Sequence, residues 1–333
     1  MKVDNTVLIT GAGGFIGQNL VEAQLATGRR VIALDINIAA LERFESHGAF
    51  TGVRGDIRSN SVVSQVVQDV EVVFNLAAAH LEVGSDEDHF RSVNVTALEN
   101  LLRASRSAGV RRFVHCSSVG VYGPLRTVPA DEDTECHPEI AYEKTKLEGE
   151  HVVHSVADEA GLDTVILRPS WVYGPGCPRT LKIVRSVLKK RFFFAGNGGN
   201  LRHPIYVGDL LTAFELAAAA SLPGGEVILV AGPCAVSTRE LVDEITRQLG
   251  SQFKPPKLPL ELVRLGCFGM EKIFSFAGRE PPFSTRSLKF FEEDSSFTTD
   301  KARRLLGFEP TVELAEGLRQ TIAHYRQHEI ISS

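Results

Sequence analysis

The feature that most restricts this chain is the run TGAGGFIG at residues 10–17, which follows the β-branched stretch TVLIT without a spacer. Gly11, Gly14 and Gly17 stand in GxxGxxG spacing where residues 15–27 begin to read as a helix. Glycine permits the tight strand-to-helix turn and lets a ligand approach the backbone, while the unpaired N–H groups of a helix start attract an anion. A pyrophosphate-bearing dinucleotide fits such a turn. Glycine triplets also mark turns that merely pack well, so context decides. Here the second strand, RVIALD, ends on Asp35, 18 residues beyond Gly17. A carboxylate there accepts hydrogen bonds from an adenosine ribose diol and repels a 2′-phosphate. Ile36 and Asn37 follow it, with no Arg or Lys, and Arg29 and Arg30 stand at the strand's far end. The pattern favours NAD over NADP.

Strand-like and helix-like stretches then alternate. After RVIALD and a second expected helix come EVVFNLA at 71–77, RRFVHCSS at 111–118 and DTVILRP at 163–169. Apolar strands separated by helix-sized segments predict an α/β fold, a doubly wound parallel sheet of about seven strands covered on both faces. Asp56 and Ile57 in RGDI follow the third strand, and Ala77 and Ala78 follow the fourth. Small residues at a strand's carboxyl end let a cofactor lie against the backbone. Beyond Pro169 the pattern loosens into VYGPGCPRT and becomes mostly helical, with EVILVAG at 226–232 expected to return to the sheet. This gives a dinucleotide-binding domain over 1–176, rejoined by 205–232, and an interleaved substrate-binding region over 177–204 and 233–333.

Composition narrows the partners. A net charge of −5, spread without a long basic run, excludes the electrostatic footprint of nucleic-acid binding. Five cysteines, odd in number and without a CxxC pair, suggest neither a disulfide framework nor a zinc site. His151 and His154 lack an HExxH setting, so no metal is expected. The start, MKVDNTVLIT, has no signal-peptide pattern, and a cytoplasmic protein is expected. Residues 259–278 are apolar but interrupted by Glu261, Arg264, Glu271 and Lys272, which predicts an amphipathic helix and no membrane span.

In AYEKTKLEGE, at 141–150, Tyr142 precedes Lys146 by four residues, so both side chains leave one face of a helix. That geometry permits a joint role and equally suits two polar residues on a wet face. The remaining motifs decide between them. TGAGGFIG, RGDI, NLAA, SVNVTALENLL, CSSVGVYG, YEKTKLEGE, LRPSWVYGPG, LRHPIYVGDL and DKARRLLGFEP occur in the order found in the extended short-chain dehydrogenase/reductase superfamily. The chain resembles that group of NAD-dependent sugar-nucleotide epimerases, dehydratases and 3β-hydroxysteroid-type dehydrogenases over nearly its whole length. The resemblance assigns catalysis to Ser118, Tyr142 and Lys146, and extends the cofactor contacts to Phe15, Ile16, Asn94 and Pro169, with Tyr142 and Lys146 shared between both sets. A phenol of ordinary pKa near ~10 is a poor base at neutral pH. The Lys146 ammonium and a positive nicotinamide ring both favour phenolate, so Tyr142 takes a proton from a secondary alcohol as hydride leaves its carbon. CSSVG lacks the GxSxG elbow, which sets a serine hydrolase aside.

The dehydratases of the family carry an Asp-Glu pair where Val119 and Gly120 stand here, so oxidation, reduction or epimerisation remains. Arg202 resembles the arginine that grips a nucleotide sugar's pyrophosphate, a role suited to a guanidinium fork. Trp171 replaces an asparagine that contacts such substrates, His203 and Pro204 replace an Asp-Phe pair, and the tail REPPFSTRSLKFF resembles the dehydrogenase branch more than the epimerase branch. His80 is expected to border the substrate, with Arg179 and Arg286 as further anion contacts. A nucleotide-sugar epimerase is favoured. The alternatives are oxidation or reduction of an apolar secondary alcohol and, in another class, a non-catalytic NAD-binding regulatory protein, which the retained Ser118, Tyr142 and Lys146 oppose. The helices at 94–107 and 141–158 resemble a pair through which family members dimerise, and a homodimer is expected.

Overall fold

Segments such as TVLIT and VVFN are stable as strands only where both faces are covered, since successive side chains point to opposite sides. The computed structural model describes residues 5–80, 86–276 and 285–331. Its centre is a seven-stranded sheet made of β1 (Thr6–Thr10), β2 (Arg30–Asp35), β3 (Phe50–Arg54), β4 (Val72–Asn75), β5 (Arg112–Cys116), β6 (Asp163–Pro169) and, later in the chain, Glu226–Val230. Short strands β7 (Trp171–Tyr173), β8 (Phe194–Ala195), β9 (Leu201–Arg202) and β10 (Pro204–Tyr206) lie between, which makes Glu226–Val230 β11. The order across the sheet is β11-β6-β5-β4-β1-β2-β3, with every pairing parallel. The chain therefore reverses direction across the sheet between β1 and β4. That switch point is where an open α/β sheet binds its ligand.

The sheet's two faces follow the alternation of its residues. Val7, Ile9, Phe74 and Leu167 point to one face, where α1 (Phe15–Ala26) and α7 (Val207–Ala219) cover them. Leu8, Val73, Phe113 and Ile166 point to the other, under α2 (Asn60–Val66), α4 (Leu98–Ser107) and α5 (Ala141–Ala160). A short helix, α3 (Glu87–Arg91), leads through a π-helical stretch, Ser92–Ala97, into α4. Each such aliphatic side chain contributes about 1.5–3 kcal/mol when fully buried. The expected helix after β2 is only a 3₁₀ stretch, Ala39–Phe44, in which Leu41 alone is buried.

The second region has its own core around Tyr173, Val184, Leu241, Ile245, Leu318 and Ile322. It is built from α6 (Pro178–Leu188), α8 (Thr238–Gln248), α9 (Leu260–Phe276), α10 (Thr285–Glu292) and, beyond α11 (Asp300–Leu306), α12 (Leu314–Gln327). Three strand pairs stiffen it: β7 with β10, β9 with β12 (Val236–Ser237), and β8 with β13 (Lys257–Leu258). Ala302, Leu306 and Phe308 join the sheet's core instead, so α11 packs with the sheet although its sequence lies in the expected substrate region. On α9, Val263 and Cys267 face inward while Leu262, Leu265 and Phe268 are exposed. No described helix is long and apolar enough to cross a membrane.

Candidate active site

The glycine turn is built at the switch point. Gly11 has φ +68°, and a Cβ on it would lie 2.7 Å from Ala77 N at the end of β4. A Cβ on Gly17 would meet Gly11 O at 2.2 Å. Gly14 caps α1 without any side-chain acceptor, and no acidic residue occupies the first turn beside Phe15 and Ile16. The helix start is thus left to an anion. The Asp35 carboxylate accepts from Gly13 N and from Asn37 N, at 2.9 Å each, and its remaining lone pairs suit a ribose diol. These residues fit a dinucleotide.

Other expected cofactor residues take more specific places. Asp56 is held by the Arg58 guanidinium, at 2.9 Å from Nε and 2.6 Å from Nη2, and this pairing lowers its carboxyl pKa. Ile57 is buried among the residues under α2. Ala77 N reaches Thr10 Oγ1 at 3.3 Å, and Ala78 follows it along the β4 exit. Asn94, in the π-helical stretch, clasps the Ala79 backbone by accepting from its N–H at 2.8 Å and donating to its carbonyl at 3.2 Å. Its amide also donates to Thr145 Oγ1 at 3.0 Å. What Asn94 offers a cofactor it therefore offers through the loop it holds. Pro169 closes β6 opposite Val230.

The Tyr142–Lys146 face of α5 lies against the carboxyl end of β5. Glu143 caps the helix by accepting from the N–H groups of Glu139 and Ile140. Lys146 is buried and donates from Nζ to Cys116 O at 2.6 Å, and burial pulls its ammonium below the usual lysine value. Beneath it, Thr10 donates to Asn75 Oδ1 at 2.6 Å and the Asn75 amide meets His115 Nδ1 at 3.0 Å. Burial and the Lys146 charge hold His115 well below its ordinary pKa, so it is neutral.

Burial pushes the Tyr142 phenol up to about 12, and Arg179 and the Ser118 hydroxyl act against that rise. The sequence assigns the opposing charge to Lys146; in the folded chain the Lys146 ammonium is engaged by the Cys116 carbonyl, and Arg179 acts on the phenol. Ser118 follows β5, where its Oγ accepts from Gly120 N at 3.0 Å. His80 places its ring edge-on to Tyr142, with centroids 4.4 Å apart and planes at 61°. Arg179 Nη2 contacts His80 Nε2 at 2.7 Å. Ser118, His80 and Arg179 therefore gather at Tyr142, with Lys146 one helical turn on at Cys116 O.

Arg202 and Trp171 form a separate group around Phe290. The half-buried Arg202 guanidinium lies 4.8 Å over the Phe290 ring, and Trp171 meets the same ring at 6.3 Å. Arg202 Nη2 donates to Lys289 O at 2.8 Å, while its buried Nε has no hydrogen-bond partner among the described residues. Burial lowers this guanidinium to about 10. His203, buried and held neutral by burial, donates from Nε2 to Gly232 O and accepts at Nδ1 from Phe297 N. A cleft of about 790 Å³ opens nearby, lined by Gly196, Asn197, Asn200, Leu260 and Phe291 among others. The Arg286 side chain lies outside the described residues, as does the 279–284 segment before it.

A family model described as the NAD dependent epimerase/dehydratase family matches residues 7–231, a span that includes the glycine turn, Ser118 and the Tyr142–Lys146 pair. The chain belongs to the NAD-dependent epimerase/dehydratase family. NAD is its cofactor, and the chain is an enzyme of the extended short-chain dehydrogenase/reductase type. A UDP-glucose 4-epimerase of Mycolicibacterium smegmatis is 30% identical over 96% of this chain and 98% of its own. A 3 beta-hydroxysteroid dehydrogenase/Delta 5-->4-isomerase of Mycobacterium tuberculosis is 28% identical over 96% and 90%. The crystal structure of UDP-glucuronic acid 4-epimerase from Bacillus cereus in complex with NAD has a TM-score of 0.80, 25% identity, and coverage of 97% and 99%.

Behind the epimerase-family motif residues stands a network that sequence reading does not single out. Arg168 donates to Glu150 from Nε at 3.0 Å and from Nη2 at 2.6 Å, and to Tyr122 OH from Nη1 at 2.9 Å. Ser117 Oγ also donates to Glu150. It joins α5, β5, β6 and the loop after Ser118 into one buried unit. The available signal is spacing: Glu150 follows Tyr142 and Lys146 at positions that share their helix face.

Proposed function

We propose that this chain is a nucleotide-sugar epimerase that oxidises and re-reduces a secondary alcohol of the sugar. The observation that carries this reading is Arg202, a half-buried guanidinium whose Nε has no hydrogen-bond partner among the described residues and on which the Glu293 and Asp294 carboxylates act only through space. A buried cation of this kind is costly unless an anion meets it. A diphosphate supplies two acceptors for the fork.

NAD, when bound, supplies the hydride acceptor. Tyr142 takes the proton of the substrate hydroxyl and returns it after the carbonyl has turned. Ser118 donates to the same oxygen, and Lys146 anchors α5 to β5 while offering its further donors to the nicotinamide ribose. Val119 and Gly120 place no acid or base beside the sugar, which favours epimerisation over dehydration.

The Trp171–Phe290 wall favours a second reading, an apolar secondary alcohol as substrate. UDP-, dTDP- and GDP-sugars tested against hydroxysteroids separate the two, with NADH absorbance as the readout. An epimerase interconverts its sugar without net NADH. Net NADH from a steroid alcohol, with no sugar bound, replaces the first reading with the second. The α4–α5 pair, whose outer surface carries Arg103, Glu99 and Glu159, is the proposed homodimer contact. Light scattering at micromolar concentration checks it, and monomer mass alone removes it.

A further inference from the structure

We infer that Arg179, acting through His80, is a positioning residue for the Tyr142 phenol: it orients the imidazole that rests on the phenol ring and sets a positive charge at the rim of the site. This rests on Tyr142 being the proton carrier. A guanidinium has only donors, so the 2.7 Å contact makes His80 Nε2 the acceptor and places the imidazole proton on Nδ1. The contact holds the Nε2 edge of the imidazole toward Arg179. That ring packs edge-on to Tyr142, an arrangement aromatic pairs prefer, and restricts where the phenol oxygen points.

The place of Arg179 in its own helix strengthens this assignment. It follows Pro178 in the first turn of α6, which has no acidic residue. A cation at that end of a helix opposes the helix dipole, so helix stability gives no reason for it. The other described groups facing Tyr142 are accounted for. The Cys116 thiol from β5 is pushed up to about 11 and is neutral. Glu143, on the same helix, is bound to the backbone N–H groups of its own cap. Lys146, one turn on, donates to Cys116 O, and Ser118 acts as a hydrogen-bonding hydroxyl. Among the described residues Arg179 is the remaining cation, and it comes from the second region, while the phenol stands on α5 beside the sheet. Proton affinity at Tyr142 thereby depends on how α6 sits against the β4 exit.

The test reads the phenol directly. Tyrosinate ultraviolet absorbance is titrated with saturating NAD, and the trace of Tyr142→Phe is subtracted from that of each protein to isolate Tyr142. Arg179→Gln is expected to raise the midpoint by about half to one pH unit, a shift that shrinks with added salt. His80→Phe keeps an aromatic ring on Tyr142 but removes the acceptor, and should raise the midpoint similarly. Arg179→Lys should recover part of the difference, since charge returns without the fork. NAD affinity, measured alongside, identifies any variant that has lost its fold; His80→Phe carries the test if Arg179→Gln does not fold. A normal parent titration with unmoved midpoints in both Arg179→Gln and His80→Phe overturns the inference alone. A parent with no Tyr142-dependent titration through the neutral and alkaline range overturns the proton-carrier reading and the inference with it.

Discussion

The sheet and the second region hold their functional side chains in different ways. Around the sheet, the contacts that shape the site include Gly13 with Asp35, Lys146 with Cys116, Ser117 with Glu150, Asn75 with His115 and Thr10 with Asn75, separated by 22 to 65 residues. In the second region, Arg202 meets Lys289 across 87 residues, Asn200 meets Phe290 across 90, and His203 meets Phe297 across 94. The first set lies at strand ends that repeat with each strand-helix unit. The second set depends on two distant segments finding each other. The difference teaches where chemistry can vary: a strand-end site tolerates little change, whereas a site made by joining distant segments is remade by altering either one.

Four measurements test that contrast. The largest effect belongs to Tyr142→Phe, which keeps the ring and removes the hydroxyl. Turnover should fall about 10²- to 10⁴-fold with NAD affinity retained; activity within twofold of the parent, about 0.4 kcal/mol, removes the proposed role. Glu150→Ala comes next. It leaves the Arg168 guanidinium buried without its carboxylate, and unfolding free energy should drop by about 3–5 kcal/mol. Denaturant titration reads this, and a loss below about 1 kcal/mol would mean the network is no tighter than a surface pair.

Arg202→Met is smaller and lies wholly in the second region. Loss of charged hydrogen bonds worth about 1.5–3 kcal/mol should weaken UDP-sugar binding about 10- to 100-fold while NAD binding stays constant. Calorimetry showing equal losses for both ligands would erase the separation between the two regions. The smallest effect is the pH slope. His115 near the sheet and His203 in the second region are both neutral when folded, with pKa values depressed below the ordinary 6.5. The unfolded chain binds the extra protons, so stability is full above pH 6.5 and falls as pH drops, by about 1.4 kcal/mol per unit for each histidine. Unfolding curves between pH 5 and 7 should show this, and His115→Asn should remove one histidine's share. An unchanged slope in that variant would mean His115 takes up no proton on unfolding.

Much of the sheet's site is legible in the sequence because local physics demands it. Only glycine fits at positions 11 and 17, and a carboxylate ending β2 falls beside the turn by the geometry of one βαβ unit. Tyr142 and Lys146 share a face because a helix returns every 3.6 residues. What periodicity does not convey is which polar group a buried side chain meets. Lys146 faces the same way as Tyr142, yet its ammonium is taken by Cys116 O, and the cation acting on the phenol is Arg179, from another element. His80 and Arg179 are separated by 99 residues, and no repeat or spacing links them. Helix 39–44 falls short for a local reason: Asn37 accepts from Ala39 N and only Leu41 reaches the core.

The last strand of the sheet has a consequence for how the chain is made. β11 pairs along β6, Ile228 beside Leu167, but the chain from 170 to 225 must be synthesised between them. Until Glu226 emerges, β6 is a bare border of buried-type residues with open N–H and C=O groups, the kind of edge that recruits strands from other chains. A nascent chain arrested within that interval therefore exposes the buried-type strand β6, which β11 covers in the finished sheet. Any fragment used to study NAD binding alone must extend through Val230 to close it.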